Sequence, residues 1–522
     1  MYRIKTDRLK AQQAKPINTL LLILLIFVFF ANTPVFAETF FGLDVRVDDS
    51  GASSSLQYDS SIAVDASGNI YVAWGDKRNG NSDIYFSKST DGGFTFEPNI
   101  RVDDTGSETS SQGGPSIAVD NSNIYVVWGD GRNGNSDIYF SKSIDGGFTF
   151  EPNVRVDDTG SATSNQGSAS IVVDASGTIY VVWNDKRNEN YDIYFSKSID
   201  NGLTFEPNVR VDDTGSDTSH QMYPSLAADA SGNIFVAWQD MRNGNWDIYF
   251  AKSTNGGISF LSDVRVDDTG SAVGYQLDPS LAADASGNIF VAWEDNRNGN
   301  YDIFFSKSIN GGVSFLSDVR VDDTGSAVSH QTNPSLAADV DDNVYVTWYD
   351  QRNGGFNIYF AKSLDADDTF GANIRVNDIF SSGTNQPSLG IDTDGNVYIS
   401  WDDGRNWDIG NWDIYFCKGI KAVPSDPPVA DSGGEYVAGV NETVMLDGSG
   451  SYDPDGEILY YIWTRQPEEE LLCFSTEPTC ETTALGRAEE IIELEVIDNG
   501  AVAGSDTAVI VNHKADVFYQ EE

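Results

Sequence analysis

Seven arginines, Arg78, Arg132, Arg187, Arg242, Arg297, Arg352 and Arg405, stand in one recurring context, W-x-D-x-R-N. A guanidinium presents its donors in a rigid fork that fits carboxylates. Three of them converging on a point would clamp a carboxylated substrate. Seven in the same surroundings argue instead for a structural ring, each pairing with the Asp two residues before it, as Asp76 with Arg78. A second constellation is aromatic. One position after the arginine reads Ser82, Ser136, Tyr191, Trp246, Tyr301, Phe356 and Trp412, so aromatics fill one arc of the repeat series. Aromatics near turns stack on sugar rings or anchor a protein partner; the alternative is packing against neighbouring loops. A third position is a repeated glutamine, read at Gln57, Gln112, Gln166, Gln221, Gln276, Gln331 and Gln386, whose amide suits a hydrogen-bonded bridge between repeats. Its neighbours vary and include His220, Tyr275 and His330 before it, and Tyr58, Tyr223 and Asp278 after it. The two histidines are metal ligands or polar loop residues. Paired acids such as Asp103 and Asp104, and later Asp453 and Asp455, either chelate Ca²⁺ through oxygen ligands or cap a turn. No other cofactor is indicated.

These residues are carried by a repeat. Trp74, Trp128, Trp183, Trp238, Trp293, Trp348 and Trp401 recur at spacings of 54, 55, 55, 55, 55 and 53, which signals a repeat architecture. Each unit predicts four strands, in the first copy Ser61–Asp65, Ile70–Trp74, Asp83–Ser89 and Asn99–Asp103. Gly-, Asn- and Asp-rich turns separate them. In the second strand Ile70, Val72 and Trp74 face one way, and Tyr71 and Ala73 the other. Both faces are apolar and both need cover, which stacked propeller blades supply. No stretch has helical periodicity with caps.

The motif R-V-D-D begins at Arg46, Arg101, Arg155, Arg210, Arg265 and Arg320, and as R-V-N-D at Arg375. One copy precedes the first full unit, and the last unit lacks one. Leu43–Asp48 is therefore expected to supply the outer strand of the last blade. That closes the ring and leaves no open edge. The fold expected is all-β: a seven-bladed β-propeller over residues 38–422.

The third turn reads Ser89-Thr90-Asp91-Gly92-Gly93-Phe94-Thr95-Phe96, with copies from Ser143 and Ser198, looser ones from Ser253 and Ser308, and a degenerate one at Ser363–Phe370. This resembles the Asp-box, or bacterial neuraminidase repeat, of sialidase-like propellers. In that family the box is a structural turn on the face opposite the active site. The resemblance implies glycosidic chemistry by three arginines on a substrate carboxylate, a Tyr nucleophile backed by Glu, and an Asp acid/base. The chain departs from that pattern. It lacks the family's Arg-Ile-Pro motif, shows no asymmetric Tyr–Glu pair, and has seven repeats where sialidases usually have six. After a linker at 423–428, residues 429–513 resemble a PKD domain, an immunoglobulin-like sandwich. The carriers are Ala430–Gly434, Leu446–Gly456, Trp463, Glu493–Asp498 and Ala508–Val511. That resemblance implies a spacer or adhesion role. A tail follows at 514–522.

At the other end, five basic residues, the apolar run Leu20–Ala31 and Val35-Phe36-Ala37 read as a secretory signal peptide over 1–37; the alternative is an uncleaved anchor. The protein is expected outside the cell or at its surface, without membrane insertion once the signal is removed, and as a monomer. A formal net charge of −48 excludes nucleic acid as a partner, because phosphate binding needs clustered Lys and Arg. Cys473 and Cys480 are expected to pair in an oxidising compartment, and Cys417 reads as a small packed residue. Three functions are compatible with these features. They are recognition of a glycan or surface protein on one propeller face, a sialidase-like exo-glycosidase, and a structural surface component.

Overall fold

The computed structural model describes residues 39–512 apart from 52–54, 107–109, 121–122, 161–163, 216–218, 230, 271–273, 285, 326–328, 364–368, 379–382, 407–410, 422–426, 455, 457, 468–469, 486, 488 and 499–502. The segment read as a signal peptide and the tail lie outside the described residues. Every element is a strand, and no helix is long and apolar enough to cross a membrane among the described residues. The chain falls into two compact units, one of them Phe41–Gly419.

That unit is built from repeated four-stranded antiparallel sheets, the architecture of a β-propeller. The Trp74 sheet shows the plan: Gln57–Val64, Ile70–Asp76, Asp83–Ser89 and Ile100–Arg101, hydrogen-bonded in that order. The second and third strands are buried along their length, because each sheet is covered on both sides. Tyr71, Ala73, Ile84, Phe86 and Val102 of the Trp74 sheet share one cluster with Ile117, Ile124, Val126 and Trp128 of the next. The first strands pack side by side in succession, and the last, Thr384–Ile391, packs on the first, Gln57–Val64. They therefore form the innermost ring. The Trp401 sheet takes its outer strand from Val45–Arg46, with Arg46 opposite Tyr415 as Arg101 is opposite Tyr85. Ile62, Ile70 and Trp74 then share a cluster with Tyr398, Ile414 and Phe416 across the closing seam.

Two elements differ from the sequence expectation. The first strand begins four residues earlier, at Gln57, because Gln57 continues the ladder opposite Asp76. The fourth strand shrinks to two residues, because Asn99 turns to the preceding sheet while Val102 and Asp103 bond Ile84 of their own sheet, the latter through its side chain.

The unit beginning at Ile420 holds a five-stranded sheet of Glu435–Ala438, Ala503–Asn512, Glu489–Asp498, Ile458–Gln466 and Glu470–Ser475. A two-stranded sheet of Thr443–Asp447 and Thr479–Thr483 completes it. Trp463, Leu446, Leu494, Val496 and Ile510 form its core. Cys473 and Cys480 are joined by a disulfide.

Candidate functional site at the axial mouth

In every sheet of the ring the end of the second strand pairs with the start of the first, Asp76 with Gln57. The entry to the first strand and the turn between strands two and three therefore share one end of the ring, and the aromatic and arginine positions lie there together.

The arginine ring is structural in its contacts. Each guanidinium meets the Asp two residues before it at 2.6–2.7 Å. Arg78, Arg132, Arg187, Arg242, Arg297 and Arg352 also meet Asp49, Asp104, Asp158, Asp213, Asp268 and Asp323 of the preceding sheet's outer loop. All seven lie over an aromatic ring of the third strand at 3.8–4.3 Å. Their charge is thus met by carboxylates within and between sheets. The paired acids are the other half of these joints. Asp103 accepts from Arg101, Thr105 and the Ile84 amide, and Asp104 from Arg132 and the Asn153 amide. The Asp103 and Asp104 oxygens read as calcium ligands face these donors. Asp455 lies outside the described residues, and no group of three or more His, Cys, Asp or Glu is placed to hold a metal among the described residues.

The repeated glutamine needs one correction. Six copies sit opposite the second-strand Asp, as Gln331 does opposite Asp350, but in the last sheet that place belongs to Thr384, opposite Asp403. The shorter spacing before the last sheet shifted the sequence reading by two residues. The bridge between sheets is made by backbone: Gln112 N–H donates to Ser82 O, Gln276 to Trp246 O, and Gln57 to Trp412 O. This confirms Trp412 as the seventh copy of the aromatic position.

Gln386 instead occupies a place that sequence reasoning missed. Each first strand carries a β-bulge two residues after the glutamine position, and the residue there is left-handed: Asp59, Gly114, Ser168, Tyr223, Asp278, Asn333 and Gln386, with φ of 45–59°. Six of the seven are not glycine, each held in a conformation that costs about 1–3 kcal/mol. The signal was present in Pro115, Pro224, Pro279, Pro334 and Pro387, which directly follow five of them and disfavour the right-handed helical region for the residue before.

In three sheets the residue after the tryptophan contributes the acceptor for the neighbouring bulge amide. Gln239 Oε1 accepts from the Asp278 amide at 3.0 Å, and Glu294 Oε2 from the Asn333 amide at 3.1 Å. Asp402 accepts from the amides of Asp59 and Ser60 at 3.0 and 3.3 Å. Two carboxyl pairs result, Asp278 with Glu294 and Asp59 with Asp402. Burial raises the pKa of all four, and the Asp278 charge raises Glu294 further, as Asp59 does Asp402. Within each pair, burial and the neighbouring carboxyl thus oppose ionisation of both members together.

Aromatic groups surround these acids. Tyr223 and Tyr275 are each 47% exposed. Burial and the charges of Asp278 and Asp59 raise the Tyr223 hydroxyl, and Tyr191 also adds to that effect. Tyr191 stands 5.9 Å from the His220 ring, and Tyr301 stands 5.8 Å from that of His330. In both pairs the tyrosine N–H donates to histidine Nδ1 at 3.3 Å, which leaves Nε2 as the nitrogen carrying a proton in the neutral ring. The histidines thus serve two separate tyrosines and do not converge. Phe356 stacks on Tyr349 at 5.0 Å. Trp412 packs on the backbones of Gly383 and Gly404, and Trp246 is half-buried. The rim is thus two tyrosine–histidine patches beside the acid pairs, with Trp246, Phe356 and Trp412 embedded in loops.

The opposite mouth holds a cavity of about 290 Å³ lined by Asp65, Asp284, Asp339 and Asp392 among small apolar residues. These aspartates cap their own turns; Asp65 accepts from Ser67, Asn69 and Tyr71.

No family model matches the chain, and no curated protein matches it. Solved structures similar to it include a protein of unknown function from Dyadobacter fermentans, at 12% identity over 73% of this chain and 99% of that one, TM-score 0.46. An ulvan lyase from a new family of polysaccharide lyases is similar at 13% identity over 73% and 94%, TM-score 0.49. A Hadza microbial sialidase is similar at 18% identity over 58% and 66%, TM-score 0.42.

Proposed function

We propose that this chain is a secreted or cell-surface recognition protein, a seven-bladed propeller of Asp-box type that binds a glycan at its axial mouth and carries a PKD-like domain as a spacer. The observation that supports this reading is the asymmetric placement of exposed phenols: Tyr223 beside Asp278 and Asp59, and Tyr275 beside Tyr301, which itself faces Glu294 and Asp278. Apolar faces of sugar rings stack on phenols, and sugar hydroxyls pair with carboxyl and imidazole groups. The seven guanidiniums being committed elsewhere, the mouth favours a neutral or amine-bearing sugar over a carboxylated one.

A second reading is glycoside hydrolysis, favoured by two carboxyl pairs beside a tyrosine. Against it, the Tyr223 hydroxyl is raised rather than activated, and no arginine is released to clamp a sialic acid carboxylate. A glycan array with the mature chain, repeated with Tyr223→Ala and Tyr275→Ala, tests the first reading. Binding to a neutral or amino sugar that the variants lose supports it; binding unchanged in both variants overturns it. Turnover of a fluorogenic glycoside abolished by Glu294→Gln would establish the second reading.

A further inference from the structure

The seams between sheets repeat one polar motif, and the seven copies can be compared with one another. In four seams an asparagine sits between an arginine and the preceding sheet. Asn99 Oδ1 accepts from Arg78 and from the Asp49 amide, while its Nδ2 donates to the Val47 carbonyl at 3.3 Å. Asn153, Asn208 and Asn373 donate likewise to the carbonyls of Val102, Val156 and Val321 at 3.2–3.3 Å. The amide group is needed because one of its ends faces donors and the other faces an acceptor.

In the other three seams the same position is a carboxyl: Asp263, Asp318 and Asp44. Asp263 Oδ2 takes the donors of Arg242 and of the Asp213 amide, and Asp318 Oδ2 takes those of Arg297 and the Asp268 amide. Their Oδ1 atoms are buried without a hydrogen-bond partner, in the place where asparagine carries its NH₂. By the repeat, the groups facing them there are the carbonyls of Val211 and Val266. An ionised oxygen against a carbonyl is repelled, whereas a protonated one donates as the amide does. The charged groups around Asp263 are Arg242, Asp213 and Asp240; those around Asp318 are Arg297, Asp268 and Asp295. The closing seam differs: Asp44 Oδ2 accepts from Arg405, the Asp378 amide donates to both Asp44 oxygens, and the Asp44 amide donates to the Asp378 carboxyl, so neither Asp44 oxygen stands without a donor.

We propose that the ring is latched at two of its seven seams, those of Asp263 and Asp318, by a protonated carboxyl standing in for an amide, so that these seams hold in mildly acidic medium and loosen as pH rises past neutrality. Burial and the facing Asp213 and Asp268 carboxyls push Asp263 up to about 8 and Asp318 to about 7; Asp44 is raised in the same sense by burial and Asp378. A folded-state pKa above the unfolded one means the folded chain holds more protons between the ordinary Asp range and the raised values, so stability falls with rising pH across that window.

The test compares the full chain with Asp263→Asn/Asp318→Asn by equilibrium denaturation from about pH 4 to about pH 8.5. The two should unfold alike near pH 4. Above it, the unfolding constant of the wild type should rise relative to the variant by about tenfold per pH unit for each carboxyl. Conversely, Asn99→Asp should introduce such a slope at the Trp74 seam. Parallel curves at every pH, or a variant weaker than wild type at pH 8, would overturn the proposal. If unfolding proves irreversible, carbon-13 titration of the Asp263 and Asp318 carboxyls in the folded chain decides it: midpoints above 6 support the latch, and midpoints in the ordinary range refute it.

Discussion

Gly147→Ala isolates the contact that makes one sheet depend on its neighbour. Gly147 has φ +90°, and a methyl there would stand 2.7 Å from Cε1 and 3.0 Å from Cζ of Phe86, a fully buried ring of the preceding sheet, and 3.1 Å from Ile124 Cδ1. Two costs add. A left-handed alanine costs about 1–2 kcal/mol, and forcing a methyl into a packed core costs about 1–3 kcal/mol more. The neighbouring Gly146 separates them. Its φ is +73° and an added methyl would meet nothing closer than Lys88 Nζ at 4.0 Å, so Gly146→Ala should carry only the first cost. Urea denaturation of both variants beside the wild type measures the difference, expected at about 1–3 kcal/mol in favour of Gly146→Ala. Equal losses would show that the second glycine of the turn serves backbone conformation alone and that the sheet-to-sheet contact is idle.

Other outcomes follow from the same geometry. Asp130 is fully buried and accepts from Trp128 Nε1, the Arg132 amide and the Arg132 guanidinium, so Asp130→Ala should cost about 3–5 kcal/mol by thermal or chemical denaturation. Glu294→Gln relieves a like-charged buried pair whose members are raised by burial, so it should stabilise the chain above neutral pH and leave it unchanged near pH 4. Removing the Cys473–Cys480 bridge by a double Ser substitution should cost about 2–3 kcal/mol for so short a loop, read by calorimetry. Because the Asp103 and Asp104 oxygens face protein donors, EDTA should leave the melting temperature of the ring unchanged within about 1 °C; 1 kcal/mol moves a domain of 150–250 residues by about 2–4 °C, and a larger unit by less.

The large features of the ring could be read from the residues because they repeat. The tryptophan spacing, the two-sided apolar second strands and the offset R-V-D-D motif each state the same geometry, and Val45–Arg46 pairs where that offset requires. The arginine ring was readable for the same reason: a group present seven times in one setting has one job. The aromatic and histidine positions of the axial mouth were readable as variable places in the repeat, but its acid pairs were not, because their members come from different strands of different sheets. Asp278 lies on a first strand and Glu294 on a second. Asp59 meets Asp402 across the closing seam, 343 residues away. The bulge that turns these side chains inward leaves no hydrophobic pattern, only the following proline. Without it, Gln386 was aligned with residues whose place Thr384 fills.

The left-handed bulge residues have one more consequence. At each such position the chain has already met the conformational cost, and the backbone amides of Asp59, Asp278 and Asn333 find their acceptor on the adjoining sheet. The strand does not depend on one side-chain type there, as the variety Asp, Gly, Ser, Tyr, Asp, Asn and Gln attests. Under the proposed function, selectivity at this opening would change one sector at a time by point mutation, while the strands around it stay the same.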